Sequence, residues 1–148
     1  MKKGENYIGT CVVFYCHDGC GNVLLNKRSE NCRDEQGTWD PGGGAIEFGD
    51  TAHDTLRKEI LEEYRTEIIW YEFLGFRDVH RTSTSGIKTH WIALDFKVHI
   101  NREKVCIGEP HKCVALEWFT LDTLPSPLHS QFPTFISLYK DRLLKDCS

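Results

Sequence analysis

No stretch near the start of this chain is long and apolar enough to cross a bilayer. The longest run there, Cys11 to Cys16, is six residues, against the roughly 20 that a membrane helix needs. No secretory leader is expected here, since Lys2 and Lys3 are followed by Gly4, Glu5 and Asn6 and then by too few apolar residues for an h-region. Charge of one sign is scarce. With 18 basic and 22 acidic side chains the net charge is −4, which excludes disorder driven by charge and provides no basic stripe for a nucleic acid. There is no internal repeat, low-complexity tract or linker, and no Cys-x-x-Cys knuckle of a zinc module. The seven cysteines (Cys11, Cys16, Cys20, Cys32, Cys106, Cys113 and Cys147) are odd in number and mostly sit inside apolar runs, so reduced thiols are expected rather than a disulfide framework. These absences leave one soluble, cytoplasmic domain spanning residues 1–148, with no membrane or nucleic-acid partner and an open oligomeric state.

What is present can build a core: 40% of residues are hydrophobic, including four Trp, five Tyr and eight Phe. Residues 7–15 are rich in β-branched and aromatic side chains, and the turn chemistry of residues 18–22 precedes a second strand over residues 23–27, which together predict a hairpin. Residues 29–36 read as loop and residues 39–44 as a glycine-rich turn. Residues 51–64 have helical spacing, with Asp50 or Thr51 as N-cap. Strands are expected at residues 68–79, 89–100 and 114–119, followed by a helix over residues 132–144. This order lacks the strict alternation of a doubly wound parallel sheet and predicts a mixed α/β domain.

The middle helix carries the chemistry. At about 100° per residue, Ala52, Leu56 and Ile60 define an apolar stripe centred near 40° from Ala52. On that wheel Glu59 falls at about 340°, Glu63 at about 20° and Glu62 at about 280°. Two acids thus share the buried sector and the third borders it, whereas a solvated face would sit opposite the stripe. Carboxylates crowded at such positions repel one another and lose hydration unless a cation compensates. A hard divalent ion, Mg²⁺ above all, meets that need with oxygen ligands and substrate phosphates.

The residues before the helix make this specific. Gly44, Asp50, Lys58, Glu59, Ile60, Glu62 and Glu63 resemble, in type and spacing, the Nudix box of the MutT-like pyrophosphohydrolases, usually written G-x5-E-x7-R-E-U-x-E-E-x-G-U. Leu24 to Arg28, Gly37 to Trp39, Glu109 to Cys113 and Glu117 to Phe119 also look like the family, so the resemblance covers most of residues 12–124. It departs at Asp50 (usually Glu), Lys58 (usually Arg), Arg65 (usually Gly) and in a proline shifted one place earlier, to Pro41. The exchange of Glu for Asp and of Arg for Lys removes a methylene and a bidentate fork from a supporting pair.

The resemblance implies an α/β/α sandwich with a mixed sheet between helices, and a hydrolase of phosphorus-containing acid anhydrides. It implies Glu59, Glu62 and Glu63 as catalytic residues and ion ligands, with Mg²⁺ as the ion and Mn²⁺ as its substitute. Glu59 or Glu62 would also act as general base or hold the water. Further ligands are expected from Gly43 and Glu109, and substrate contacts from Arg28, Trp39, Gly44 and His90. Asp50 and Lys58 support the site. Marks of several subfamilies are absent: no proline lies between Pro41 and Pro110, Arg81 to Thr84 holds no tyrosine, and the NADH-type string is missing. A nucleoside or deoxynucleoside triphosphate, cleaved to monophosphate and pyrophosphate, is therefore the first expectation. A nucleotide sugar or other nucleoside diphosphate derivative, or a nucleotide sensor with impaired catalysis, is the alternative.

Overall fold

The structure, a computed structural model, describes residues 1–145; Cys147 lies outside the described residues. Its centre is strand β1 (Gly9–His17), which runs parallel to a later strand from Gly9 opposite Trp91 to His17 opposite His99. Val12, Phe14 and Cys16 on one face of β1 and Tyr15 on the other are buried in two separate cores. Burial on both faces explains why this strand reads as an unbroken apolar run rather than an alternating one.

The predicted hairpin exists but barely pairs. β1 and β2 (Val23–Arg28) meet only at His17 and Val23. Beyond that point the strands diverge, because each has another partner. The glycine-rich segment, expected to be a turn, instead forms two short strands, β3 (Trp39–Asp40) on β2 and β4 (Gly43–Ala45) on β1. Pro41, which has no N–H to donate, and Gly42, at φ 110°, make the break between them.

Helix α1 (Ala52–Tyr64) starts at Thr51, whose hydroxyl accepts from the Asp54 N–H while the Asp54 carboxylate accepts from the Thr51 N–H. This capping box decides between the two N-cap candidates. The helix ends on Arg65 in the left-handed conformation (φ 56°, ψ 32°), a cap that costs a residue with a Cβ about 1 kcal/mol relative to glycine. Its last carbonyls are nevertheless satisfied: Cys106 N–H donates to Tyr64 O (3.1 Å) and Gly108 N–H to Glu63 O (3.0 Å).

Strands β5 (Ile68–Thr82) and β6 (Lys88–Ile100) form a long antiparallel ribbon, with register shifts between Ile68 and Trp70 and between Phe73 and Gly75. β7 (Cys113–Phe119) pairs with β2, and α2 (Phe132–Leu143) closes the described chain. The seven strands make one mixed sheet with the main order β3-β2-β1-β6-β5. Leu56, Ile60 and Tyr64 of α1 pack on Val12 and Phe14, while Phe132, Phe135 and Tyr139 of α2 pack with Tyr15 and Leu25. The helices therefore cover opposite faces, giving the expected α/β/α sandwich. The six described cysteines are free, and among the described residues no helix is long and apolar enough to cross a membrane.

Candidate active site

α1 turns Glu59 and Glu63 toward β4, where they line a cleft of about 510 Å³ together with Asp40, Gly43, Gly44 and Glu109. The approach is close because position 44 has no side chain. A Cβ on Gly44 would stand 2.5 Å from Glu59 Cγ and 2.7 Å from its Oε1, so any other residue would push the carboxyl out of the cleft. Asp40 is held over the same space by the end of β2. Asn26 donates to Asp40 O (2.9 Å) and to the Tyr64 hydroxyl (2.9 Å), which in turn donates to Pro41 O (2.7 Å).

Acid dominates this cleft. Burial, followed by the neighbouring Glu62 charge, pushes the Glu59 carboxyl from its usual 4.5 up to about 6. Glu63 is raised well above the usual range, first by burial and then by the charges of Asp40, Glu59 and Glu109. Its Oε2 is sealed from solvent and has no hydrogen-bond partner among the described residues. A buried carboxylate oxygen without a donor costs several kcal/mol in isolation, or is protonated instead. The cations present are peripheral: Lys112 Nζ is 3.7 Å from Glu109 Oε2, and Arg28 reaches Asp34 at 2.9 Å and Asp40 at 3.3 Å.

The structure therefore brings together Glu59, Glu63, Gly43, Gly44, Arg28 and Glu109. Glu62 is exposed beside them, as its position on the border of the apolar stripe implies, and does not line the cleft. Asp50 and Lys58 form a 4.0 Å ion pair with both side chains 40% or more exposed, a loose contact away from the cleft floor.

Two expected substrate contacts lie elsewhere. Trp39 is 8% exposed and packs edge-on against Phe119 in the α2-side core, because its place on β3 points it inward. His90 sits near the start of β6, paired with Asp78 (2.9 Å) and against the His80 ring at 4.1 Å between centroids. Ligating atoms of Asp78, His80 and His90 all lie within 4.8 Å of one another, but none of the three lines the carboxylate cleft. Asp40 and Lys112, which do line it, carry no mark of their own in the sequence beyond lying in the glycine-rich segment and in the Glu109 to Cys113 stretch. Asp40 is recognisable only once β3 is known to pair with β2.

The chain as a whole, helix and glycine-rich strand included, falls within a known family pattern and superposes on solved structures. The NUDIX domain pattern matches residues 8–139. The chain belongs to the NUDIX family. A MutT NUDIX hydrolase from Burkholderia pseudomallei shares 28% identity and superposes with a TM-score of 0.75, over 90% of this chain and 97% of that one. The MutT protein from Methanosarcina mazei Go1 (20% identity, TM-score 0.73, 96% and 97% covered) has the same fold. So has the NUDIX domain of Shewanella oneidensis NrtR in complex with ADP ribose (17% identity, TM-score 0.69, 97% and 90% covered). As a NUDIX hydrolase the chain acts on the anhydride bond of a pyrophosphate linkage, and Glu59 and Glu63 occupy the two inward positions of its NUDIX box.

Proposed function

We propose that the chain is a divalent-metal-dependent pyrophosphohydrolase, with Mg²⁺ as the working ion, that cleaves a nucleoside or deoxynucleoside triphosphate to the monophosphate and pyrophosphate. The observation that carries this reading is the unpartnered, buried Oε2 of Glu63 beside Glu59 in an open cleft. The donor set fits a hard divalent ion: carboxylates from Glu59, Glu63 and Glu109 and the backbone around Gly43 are all oxygen donors. Such an ion, when bound, neutralises phosphate charge and lowers the pKa of an attacking water.

The chain's own residues account for the rest. Arg28 and Lys112, on the rim of the cleft, bind phosphate oxygens; Arg28 already holds its fork between Asp34 and Asp40, so it is fixed in place before substrate arrives. Gly44 lets the Glu59 carboxyl lie against the backbone of β4. The proton of the attacking water is taken by Glu59, which lines the cleft, or by Glu62, exposed beside it.

A second reading is supported by the loose Asp50–Lys58 pair and by the ADP-ribose-bound NUDIX domain of NrtR: a nucleoside diphosphate derivative such as a nucleotide sugar is bound, with slow turnover or none. Nucleoside triphosphates, nucleotide sugars, ADP-ribose and dinucleoside polyphosphates, assayed for phosphate or pyrophosphate release with and without Mg²⁺, separate the two. Metal-dependent pyrophosphate release from a triphosphate supports the first reading. Binding without turnover of any compound would replace it with the sensor.

A further inference from the structure

A second cavity of about 280 Å³ lies on the α2 face of the sheet. Arg28, Asp40, Gly43 and Gly44 line both this cavity and the carboxylate cleft, so the two are joined across β4. A substrate whose phosphates sit among the acids has this cavity as the adjoining space for its other end.

Much of its wall is apolar, from Val13, Val79, Ala93, Phe132 and Phe135 with the Trp91 indole beside them, while His129, Gln131 and Arg81 supply polar groups. The indole lies flat on the backbone of β1, since a Cβ on Gly9 would stand 2.5 Å from the Trp91 ring. Burial pushes the Cys11 thiol on the same wall up to about 11, which keeps it neutral.

Within this apolar lining lies one buried cation. Arg77 is 8% exposed. Its Nε donates to Asp95 Oδ2 (2.6 Å) and its Nη2 to Asp95 Oδ1 (2.9 Å), while the Tyr139 hydroxyl also donates to Asp95 (2.7 Å) and the guanidinium rests over the Phe135 ring (5.6 Å). Three contacts thus fix its orientation. The third nitrogen, Nη1, is buried and has no partner among the described residues. A buried donor left unpaired is costly, and an acceptor on a bound ligand removes that cost.

The charge balance indicates the kind of acceptor. Away from the rim that it shares with the cleft, Asp95 already neutralises Arg77, and Asp34 and Glu35 neutralise Arg81. The cavity is therefore no sink for a phosphate or carboxylate. A neutral, planar ring with a carbonyl oxygen suits it: the ring meets the apolar and aromatic wall, and the oxygen accepts from Nη1.

The geometry points to this cavity as the base-recognition pocket of the enzyme, with Arg77 Nη1 selecting a base that carries a ring carbonyl (a 6-oxopurine or 4-oxopyrimidine) over one with an amino group at that position. The inference rests on the nucleotide reading of the cleft. An amino group would set donor against donor.

Inosine and adenosine nucleotides differ at this atom and test it. With Mg²⁺, the KM for inosine triphosphate is expected at least about tenfold below that for ATP, the scale of one charge-assisted hydrogen bond. Metal-free calorimetry with inosine and adenosine monophosphates should show the same order. Val79→Phe, which fills the cavity without touching the Arg77–Asp95 pair, should erase the preference; Arg77→Lys should flatten it, provided the variant folds. Equal KM values for hydrolysed triphosphates, or monophosphate binding that Val79→Phe leaves unchanged, would overturn the pocket and leave the hydrolase reading standing. If no triphosphate turns over but inosine monophosphate still binds tenfold tighter than adenosine monophosphate, the hydrolase reading fails and the pocket stands.

Discussion

The two faces of the sheet both bury an acid, and they treat it in opposite ways. On the α2 face Asp95 is fully buried and accepts from Nε and Nη2 of Arg77 and from the Tyr139 hydroxyl. On the α1 face Glu63 has a sealed oxygen with no donor and three further acids whose charges press on it. A buried charge completed by protein groups makes a rigid structure, whereas one left incomplete in an open cleft is a demand for a ligand. The fold thus completes its buried acid on one side, where only Arg77 Nη1 is left without a partner among the described residues, and leaves its buried acid itself unsatisfied on the other.

Breaking the completed side should have the largest effect. Asp95→Ala leaves the Arg77 charge buried without its partner, and is expected to cost about 3–5 kcal/mol of stability in denaturant unfolding. A loss under about 1 kcal/mol would mean that the network is not what holds this face. Next comes the incomplete side. Glu63→Gln keeps the shape and removes the charge, and should lower kcat by at least about a hundredfold, the scale of a weakened metal-assisted step. Wild-type turnover in that variant would sink the assignment of the cleft.

The same variant should gain stability, which sharpens the contrast. Glu59 and Glu63 have folded pKa values above those of the unfolded chain, so each favours the folded state when protonated. Their contribution is fully present below about 4.5 and is lost as pH rises through about 6 for Glu59, with Glu63, raised well above the usual range, acting in the same direction. Metal-free wild type is therefore expected to lose thermal stability between these limits. Glu63→Gln should raise Tm by about 3–6 °C at pH 8 and leave it unchanged at pH 4, by differential scanning calorimetry. Added Mg²⁺ should stabilise wild type at pH 8 and the variant far less. A Tm that Glu63→Gln lowers at pH 8 would mean that the carboxylate has a protein partner after all.

The α1 side was legible in the sequence because helical periodicity is local. The 100° step alone put Glu59 and Glu63 inward and Glu62 on the border, and the structure leaves Glu62 exposed. The α2 side was not legible. Arg77 and Asp95 lie 18 residues apart on neighbouring strands, and the register shift between Phe73 and Gly75 changes which face Arg77 occupies relative to the start of β5. Trp39 and His90 lie outside the carboxylate cleft for a related reason. Side-chain chemistry suits both to substrate contact, but the face each occupies follows from strand register: Trp91 lines the cavity and His90, its neighbour, does not. Asp40 was overlooked because its short strand exists only through pairing with Asn26 and Lys27.

The smallest effect supplies the baseline against which both faces are judged. Asp50 and Lys58 form an ion pair on the same helix as Glu59, but exposed and 4.0 Å apart. Water screens such a pair, and its worth is about 0–1 kcal/mol. Lys58→Arg restores the family's usual side chain and its bidentate fork, so it should tighten the contact and yet move stability by no more than about 0.5 kcal/mol in urea unfolding. Its effect on kcat should be correspondingly slight, because the pair touches neither the sealed oxygen of Glu63 nor the backbone beneath Glu59. A tenfold rise in kcat would instead show that this pair sets the orientation of the inward acids, and that the departure at position 58 is what slows the enzyme.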